Sequence, residues 1–480
     1  MDQAVKAVQA PKPTDEQSAI LAHRSGNLMI EALAGTGKSS ICRMIDLADP
    51  QPHIYLVFNK VNQLEAEADQ AESLWRPTTL IKTFNGLGHG SWASATGKRL
   101  AISKNKLSDI AKSLASDLTK GQREAFWDCW DAIRNGVEMA KAIGYIPQRH
   151  ANAAKRLAGP AELSAIMDET PDDQILGWID DLLTISISQA YAGVIDFNDQ
   201  LYMSALFGGV FPQYPLVIVD EFQDLNPVQH HMVAKLTQNA LLYGVGDACQ
   251  AIYAFRGAMS DSMLQAQQKF NMTTLPLSTS FRCPSAITEN VRWRVPHFRA
   301  SRAGGSVTRG RAIEDNSTVI CRNNAPLFAA AIRCLVAGHK VDVSGVDLTN
   351  RLATQMAKLG PESLDQAQTQ TLSAIDDWLA RKLEAESKSA SDIAECMRIF
   401  ARKAKTLGGA LSVIRHMAAQ TGSIRFLTGH KSKGLEWDHV IHLDVHLISD
   451  RGQDPNLNYV IDTRSRDRLT YVASADLTEE

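Results

Sequence analysis

Short, continuous apolar runs recur along this chain, separated by longer stretches in which apolar residues return every three or four positions. Leu28-Met29-Ile30 and residues 54–58, 79–84, 216–220 and 241–245 form a first set. Residues 318–321, 341–343, 424–428 and 440–443 form a second. A run that is apolar at successive positions suits a strand covered on both faces, as in parallel sheets. Strands alternating with helical stretches predict βαβ units. The pattern predicts an α/β fold with two lobes, each on its own parallel sheet. Two stretches lack strand character: residues 95–195, dotted with Lys, Arg, Ala and Trp, and residues 346–420, rich in Ala, Gln and Lys. Both predict helical insertions. The expected organisation is a first lobe from 1–94 and 196–275 with insertion 95–195. The second lobe is expected from 276–345 and 421–480, with a reduced insertion at 346–420.

Composition changes this picture little. Length alone allows about three or four domains, and 44% apolar with 21% charged residues is ordinary for a globular chain. The net charge of −3 gives no global basic field, so any nucleic-acid contact has to come from a local groove. The seven cysteines (42, 129, 249, 283, 321, 334 and 396) are odd in number and contain no C-x-x-C pair. They predict reduced thiols, neither a disulfide framework nor a zinc site. His439, His442 and His446 do not suggest a metal site, because in a strand the first two point to opposite faces. No run approaches the ~18 apolar residues of a membrane span, and Met1-Asp2-Gln3 starts no basic-then-apolar leader. Cytoplasmic placement without a membrane partner is the expectation.

The chemistry is concentrated at the ends of the apolar runs. Ala34-Gly35-Thr36-Gly37-Lys38-Ser39-Ser40 follows the first run and leads into a helical stretch. A strand, a glycine turn, a lysine and a hydroxyl before a helix form a cradle for a nucleotide triphosphate. Backbone N–H groups and the helix N-terminus face the phosphates, Lys38 reaches the β/γ oxygens, and the Ser39 hydroxyl can ligate Mg²⁺. The first glycine of the full pattern is replaced by Ala32. Leu216-Val217-Ile218-Val219 ends in Asp220-Glu221-Phe222-Gln223-Asp224, which delivers acids to the edge of a buried sheet, where ligands bind in open α/β folds. Asp220 is suited to Mg²⁺, and Glu221 to orienting or deprotonating the attacking water. ATP and Mg²⁺ are the cofactors this predicts, on a P-loop NTPase lobe.

With both elements placed, the whole chain resembles the UvrD/Rep-type superfamily 1 DNA helicases and leans to their compact F-box-DNA-helicase-like branch. Motifs occur in family order from Gln17 to Arg464. The resemblance implies two RecA-like lobes and an adenine contact from Gln17, although Thr14-x-x-Gln17 also reads as a helix-capping box. It implies DNA contacts from Phe58, Thr83, Phe84 and His89, where the two aromatics also suit a core. In Gly246–Ala258 it implies a γ-phosphate sensor at Gln250, stacking by Tyr253 and Phe255, and a DNA contact from Arg256. Phe281 is expected on the adenine, with Arg282 on the γ-phosphate. Arg322, Asn324 and His430 are expected on the strand, Gly434 near phosphate, Glu436 on the ribose, and Arg464 as the arginine finger. The catalytic set is thus Lys38, Asp220, Glu221, Gln250, Arg282 and Arg464, and Ser40 stands where many relatives carry an arginine. Residues 292–311, with Trp293 and Phe298, read as a solvated connection or a nucleic-acid patch.

The resemblance implies an ATP-dependent DNA helicase and single-stranded DNA translocase of 3′→5′ polarity. Its partners would be single strands, duplex junctions and replication or repair proteins, and it would act as a monomer. Two alternatives stay open from the residues: an RNA helicase or RNA-dependent ATPase, and a non-catalytic nucleic-acid-binding module.

Overall fold

The computed structural model describes residues 12–150, 155–168, 170–253, 257–259, 261–343, 346–360, 364–384, 387 and 389–477. Strands β1 (Leu28–Ala32), β2 (His53–Val57) and β3 (Leu80–Thr83) precede the first helical insertion. That insertion is flanked by a small ladder, β4 (Ala101–Ile102) with β5 (Val194–Ile195). Strands β6 (Leu216–Val219), β7 (Leu241–Gly246) and β8 (Thr273–Leu277) complete a six-stranded parallel sheet of order β3-β2-β6-β7-β1-β8. A second ladder, β9 (Thr279–Ser280) with β10 (Arg299–Ala300), follows. Strands β11 (Ser306–Gly310), β12 (Thr318–Cys321), β13 (Val341–Val343), β14 (Ile424–Thr428), β15 (Trp437–Leu443) and β16 (Ser465–Val472) form the other parallel sheet, of order β11-β16-β15-β12-β14-β13. The architecture is α/β, with two lobes each built on a six-stranded parallel sheet.

The apolar runs are continuous because both faces of each sheet are covered. In the first sheet Met29, Ile54, Leu56, Val217 and Val219 point into one core, while Leu28, Ile30, Tyr55, Val57 and Ile218 point into the opposite one. Strand order then decides where the chemistry falls. The loops after β6, β7 and β1 carry Asp220–Asp224, Asp247–Gln250 and Ala34–Lys38, and these three strands are neighbours. The loops after β3 and β2 lie together on the other side.

The two insertions differ in how they are held. The first has a core of its own, including Ile110, Phe126, Ile133, Val137, Ile179 and Leu182. Between that core and the first lobe lies a buried charge cluster, in which Asp199 takes Lys106 Nζ at 2.5 Å and Lys141 Nζ at 2.7 Å. In the second insertion, Ile375, Trp378, Met397 and Phe400 share one core with Val319, Phe328 and Phe426 of the second lobe.

The chain passes from one lobe to the other with little slack. Strand β8 ends at Leu277, and at Ser280 the chain already bonds the phosphate loop, with Ser280 Oγ donating to the Ala34 carbonyl (2.8 Å). Ser278 between them is tied by its N–H to Glu16 Oε2 at 2.8 Å. No helix among the described residues is long and apolar enough to cross a membrane.

Candidate active site at the seam between the lobes

The phosphate loop turns on Gly35 (φ +69°) and Gly37 (φ +88°), a region that disfavours other residues. Gly35 has a second constraint. A side chain there would run into the Arg282 Cβ and lie 2.8 Å from Ser280 Oγ, so the second lobe is packed directly on the loop. Phe281 N–H donates to the Gly35 carbonyl at 2.8 Å. Thr36 Oγ1 donates to Leu33 O, and Lys38 and Ser39 open the helix Lys38–Ala48. Ser40 Oγ accepts from Arg43. Gln17 does form the capping box, its Oε1 accepting from Thr14 N–H at 2.9 Å. Its Nε2 lies 3.9 Å from where a Gly37 Cβ would sit, so one residue caps the helix and borders the loop.

Lys38 Nζ reaches Glu221 Oε2 at 3.2 Å, across from the end of β6. Glu221 sits at φ +49°, ψ +44°, an uncommon conformation for a non-glycine residue and one that clusters at functional positions. Burial pushes its carboxyl up, but Lys38 and Lys433 outweigh burial and hold it at about 2. Asp220 goes the other way: burial and then the Glu221 charge push it up to about 6. Asp220 accepts from Tyr55 Oη (2.8 Å) and from Glu221 N–H (2.9 Å). Gln223 is the hub beneath them. Its Nε2 donates to Glu221 (2.5 Å) and Asp224 (3.2 Å), and its Oε1 accepts from Asp247 N–H (2.9 Å). The Gln250 amide is turned to Asp247 Oδ2 at 2.8 Å.

The helix Asp454–Asp462 brings the second lobe against these loops. Asn456 and Tyr459, three apart, share a face. Asn456 Nδ2 donates to the carbonyls of Ala248 and Ala251. Tyr459 Oη donates to Asp247 Oδ2 (3.1 Å) and accepts from Ala34 N–H (3.0 Å). This corrects one expectation: the Ala34 amide points to Tyr459, not into the phosphate cradle. Leu33, Ala34 and Ile252 of the first lobe pack with Cys283, Leu457, Tyr459 and Val460 of the second. Arg464 is buried, its guanidinium held by Val460 O (2.8 Å), Leu435 O (3.2 Å) and Thr463 Oγ1 (3.2 Å). Burial and the neighbouring Arg282 charge push it down to about 10. Arg282 is ion-paired with Glu436, so the residues expected at the γ-phosphate and the ribose contact each other. Phe281 is half-exposed. Gly434 (φ +86°) faces open space.

The residues expected to contact the polymer fall into two groups, some at the outer edge and some turned into the lobes. The rings of Phe58 and Tyr253 are near-parallel (6°) with centres 6.2 Å apart. His430, Arg322 and Arg294 line a cleft of about 1060 Å³ with Ala248 and Ile252, and Arg322 is paired with Asp454 at 2.9 Å. Three expectations change here. Phe84 is 1% exposed, in the core of the first lobe, and cannot meet a base. Asn324 is turned to Asp392, accepting no part in the cleft (Nδ2 to Oδ2, 3.0 Å). Thr83 Oγ1 caps the helix Phe84–Thr96 through Gly86 N–H. His89 is half-buried in that helix, while Phe255 and Arg256 lie outside the described residues. In the 292–311 stretch Phe298 is core and Trp293 is exposed.

Phe197, Asn456, Tyr459 and Lys433, which the motifs do not single out, also stand at the seam or its edge. Phe197 is 64% exposed, and its carbonyl accepts from Asn85 Nδ2 at 2.9 Å, beside the β3 loop. Its signal is an aromatic set among Asp196, Asn198 and Asp199, with no apolar period to bury it.

The model of the UvrD/REP helicase N-terminal domain matches residues 151–271, which include Asp220–Asp224 and Gln250. Over that segment the chain is similar to the UvrD/REP helicases. It is 23% identical over 456 residues to F-box DNA helicase protein 1 of Schizosaccharomyces pombe, covering 86% of this chain and 50% of that protein. To the ATP-dependent DNA helicase PcrA of Staphylococcus aureus it is 24% identical over 296 residues, covering 57% of this chain and 38% of that protein. The chain thus spans half or less of the length of these curated relatives. A solved complex of arterivirus nonstructural protein 10 (helicase) with DNA aligns with 95% of this chain and 61% of that chain, at 9% identity and a TM-score of 0.35. At that level it adds nothing to the topology above.

Proposed function

We propose that this protein is an ATP-dependent DNA helicase and single-stranded DNA translocase, of 3′→5′ polarity, that hydrolyses ATP at the seam between its lobes. One observation carries the reading: Lys38 and Glu221, delivered by β1 and β6, touch at 3.2 Å on an edge that Tyr459 and Arg282 of the other lobe close. Neither lobe holds the full set of groups. The relatives named DNA helicases support DNA as the polymer.

In this mechanism Lys38 transfers from Glu221 to the β/γ-phosphates, which frees Glu221 to orient and take a proton from the attacking water. Arg464 and Arg282 supply positive charge to the transferring phosphoryl from the second lobe. Mg²⁺ suits the hard oxygens of the Ser39 hydroxyl and the buried Asp220 carboxylate, and among the described residues no group of three or more His, Cys, Asp or Glu is arranged to hold a metal ion alone. The ion would therefore be shared with nucleotide phosphates, whose charge it neutralises. Phe58 and Tyr253 grip bases by stacking, which tolerates any sequence, and seam closure alters that grip.

The test is ATP turnover with and without a short oligonucleotide. Lys38→Ala and Glu221→Gln are each expected to cut stimulated turnover by about a hundredfold or more while leaving circular dichroism unchanged. Unaltered turnover in both variants sinks the assignment. Stronger stimulation by RNA than by matched DNA would move the protein to the RNA class.

A further inference from the structure

Resting on the reading above, we propose that Lys433 is a positioning residue that couples the nucleotide at the seam to the polymer at the outer edge. It follows the short helix Gly429–Ser432 of the second lobe, yet its ammonium is bound by the first. Nζ lies 2.7 Å from both oxygens of Asp224, donates to the Gln250 carbonyl, and sits 5.0 Å from the centre of the Tyr253 ring. The Lys433 side chain is 7% exposed and that of Asp224 2%. A buried pair of this kind adds little net stability over an apolar pair, and what it can add is a fixed register between the bodies it joins.

Each end of the contact leads to one of the two functions. Asp224 accepts from the same Gln223 amide that holds Glu221, so the Lys433–Asp224 pair sets where Glu221 is held. On the other side, Tyr253 Oη donates to the His430 carbonyl at 3.2 Å, three residues before Lys433. The turn from His430 to Lys433 therefore holds Tyr253 by its hydroxyl and by its ring. A base stacking on that ring competes for a position the ammonium already fixes. Movement of the ring moves Lys433, and with it Asp224, Gln223 and Glu221. Coupling of this kind is reciprocal, so nucleotide must change polymer affinity by the same factor that polymer changes nucleotide affinity.

The experiment uses the full chain, a fluorescein-labelled oligo-dT and a non-hydrolysable ATP analogue. Oligonucleotide affinity is read by anisotropy with and without the analogue, alongside ATP turnover. In the wild type the analogue is expected to shift oligonucleotide affinity by about 5-fold or more. Lys433→Met is expected to bring that shift to about 1 while each ligand's own affinity stays within about 3-fold, a pattern that lost packing alone does not produce. Asp224→Asn should do the same, and the double variant should be no worse than either single one, since the two act as a unit. Where Lys433→Met does not fold, Asp224→Asn carries the same test. A shift that persists in the variants overturns the proposal and leaves the helicase reading standing. A wild type that hydrolyses ATP on DNA but shows no shift overturns it equally. A wild type that binds no nucleotide removes both.

Discussion

Single aromatics separate the two kinds of strand-end residue. Phe58 and Tyr253 present parallel faces at the outer edge, whereas Phe84 belongs to a stripe of buried positions, 84, 87, 88, 91 and 92, in one helix. That stripe has helical spacing and was readable in the sequence, but a resemblance that assigns Phe84 to DNA hides it. Phe58→Ala and Tyr253→Ala are each expected to weaken binding of a labelled oligonucleotide by about 1–3 kcal/mol, with little change in melting temperature. Phe84→Ala should instead cost about 3–5 kcal/mol of fold stability. Anisotropy and urea unfolding distinguish the two outcomes, and a binding loss confined to Phe84→Ala would reverse the assignment. Lys38 and Glu221 stand out in the sequence because each lies just beyond a buried run, whereas Gln250 is singled out only by the resemblance. Tyr459 and Lys433 do not stand out, because their partners Ala34 and Asp224 lie hundreds of positions away and only the fold joins them.

At the scale of elements, the interior strands β1, β2, β6, β7, β12, β14 and β15 show as apolar runs because neighbouring strands and both sheet faces cover them, and the edge strands β3 and β13 still show because their own residues are largely apolar. Within the two large sheets, the strands without an apolar run are β8 and β11, each at a sheet edge, and β16. Both edge strands have exposed positions that interrupt the apolar run, and β8 carries Pro276, which an edge tolerates. Strand β16 is interior but opens with the polar residues Ser465–Arg468. Around the turn Phe222–Asp224, two helices, Pro227–Leu236 and Ser262–Lys269, act as a clamp. Ser262 Oγ donates to the Phe222 carbonyl (2.7 Å), so the His230 Nε2 at 2.7 Å from that hydroxyl must be the donor. Burial pushes His230 from 6.5 down to about 4. The folded state thus holds this imidazole neutral where the unfolded chain protonates it. Its contribution is whole above pH 6.5 and is lost as pH falls towards 4, at about 1.4 kcal/mol per pH unit. His230→Gln keeps a donor and cannot titrate, so its urea midpoint should fall less steeply than the wild type's across that window. Parallel slopes would show that His230 is not the group responsible.

For the whole molecule, the two lobes were visible in the order of the apolar runs, because each parallel strand needs a helical crossover before the next. The second insertion was visible only as a change in composition. Its sharing of a core with the second sheet depends on long-range packing that no local pattern records. Polarity also belongs to this scale. The Asp220–Asp224 and Ile252–Ala258 segments resemble the 3′→5′ branch, so a duplex with a 3′ single-stranded tail should open faster than one with a 5′ tail. A strand-displacement assay favouring the 5′ tail would reverse the polarity. The passage between the lobes bears on any such motion. The chain leaves the first sheet at Leu277, is pinned at Ser278 by Glu16, and touches the phosphate loop at Ser280. Ser278 and Ser280 thus fasten the crossing strand to the same lobe that holds the phosphate loop, so any hinge between the lobes has to fall beside the nucleotide pocket and leaves little free chain to absorb it.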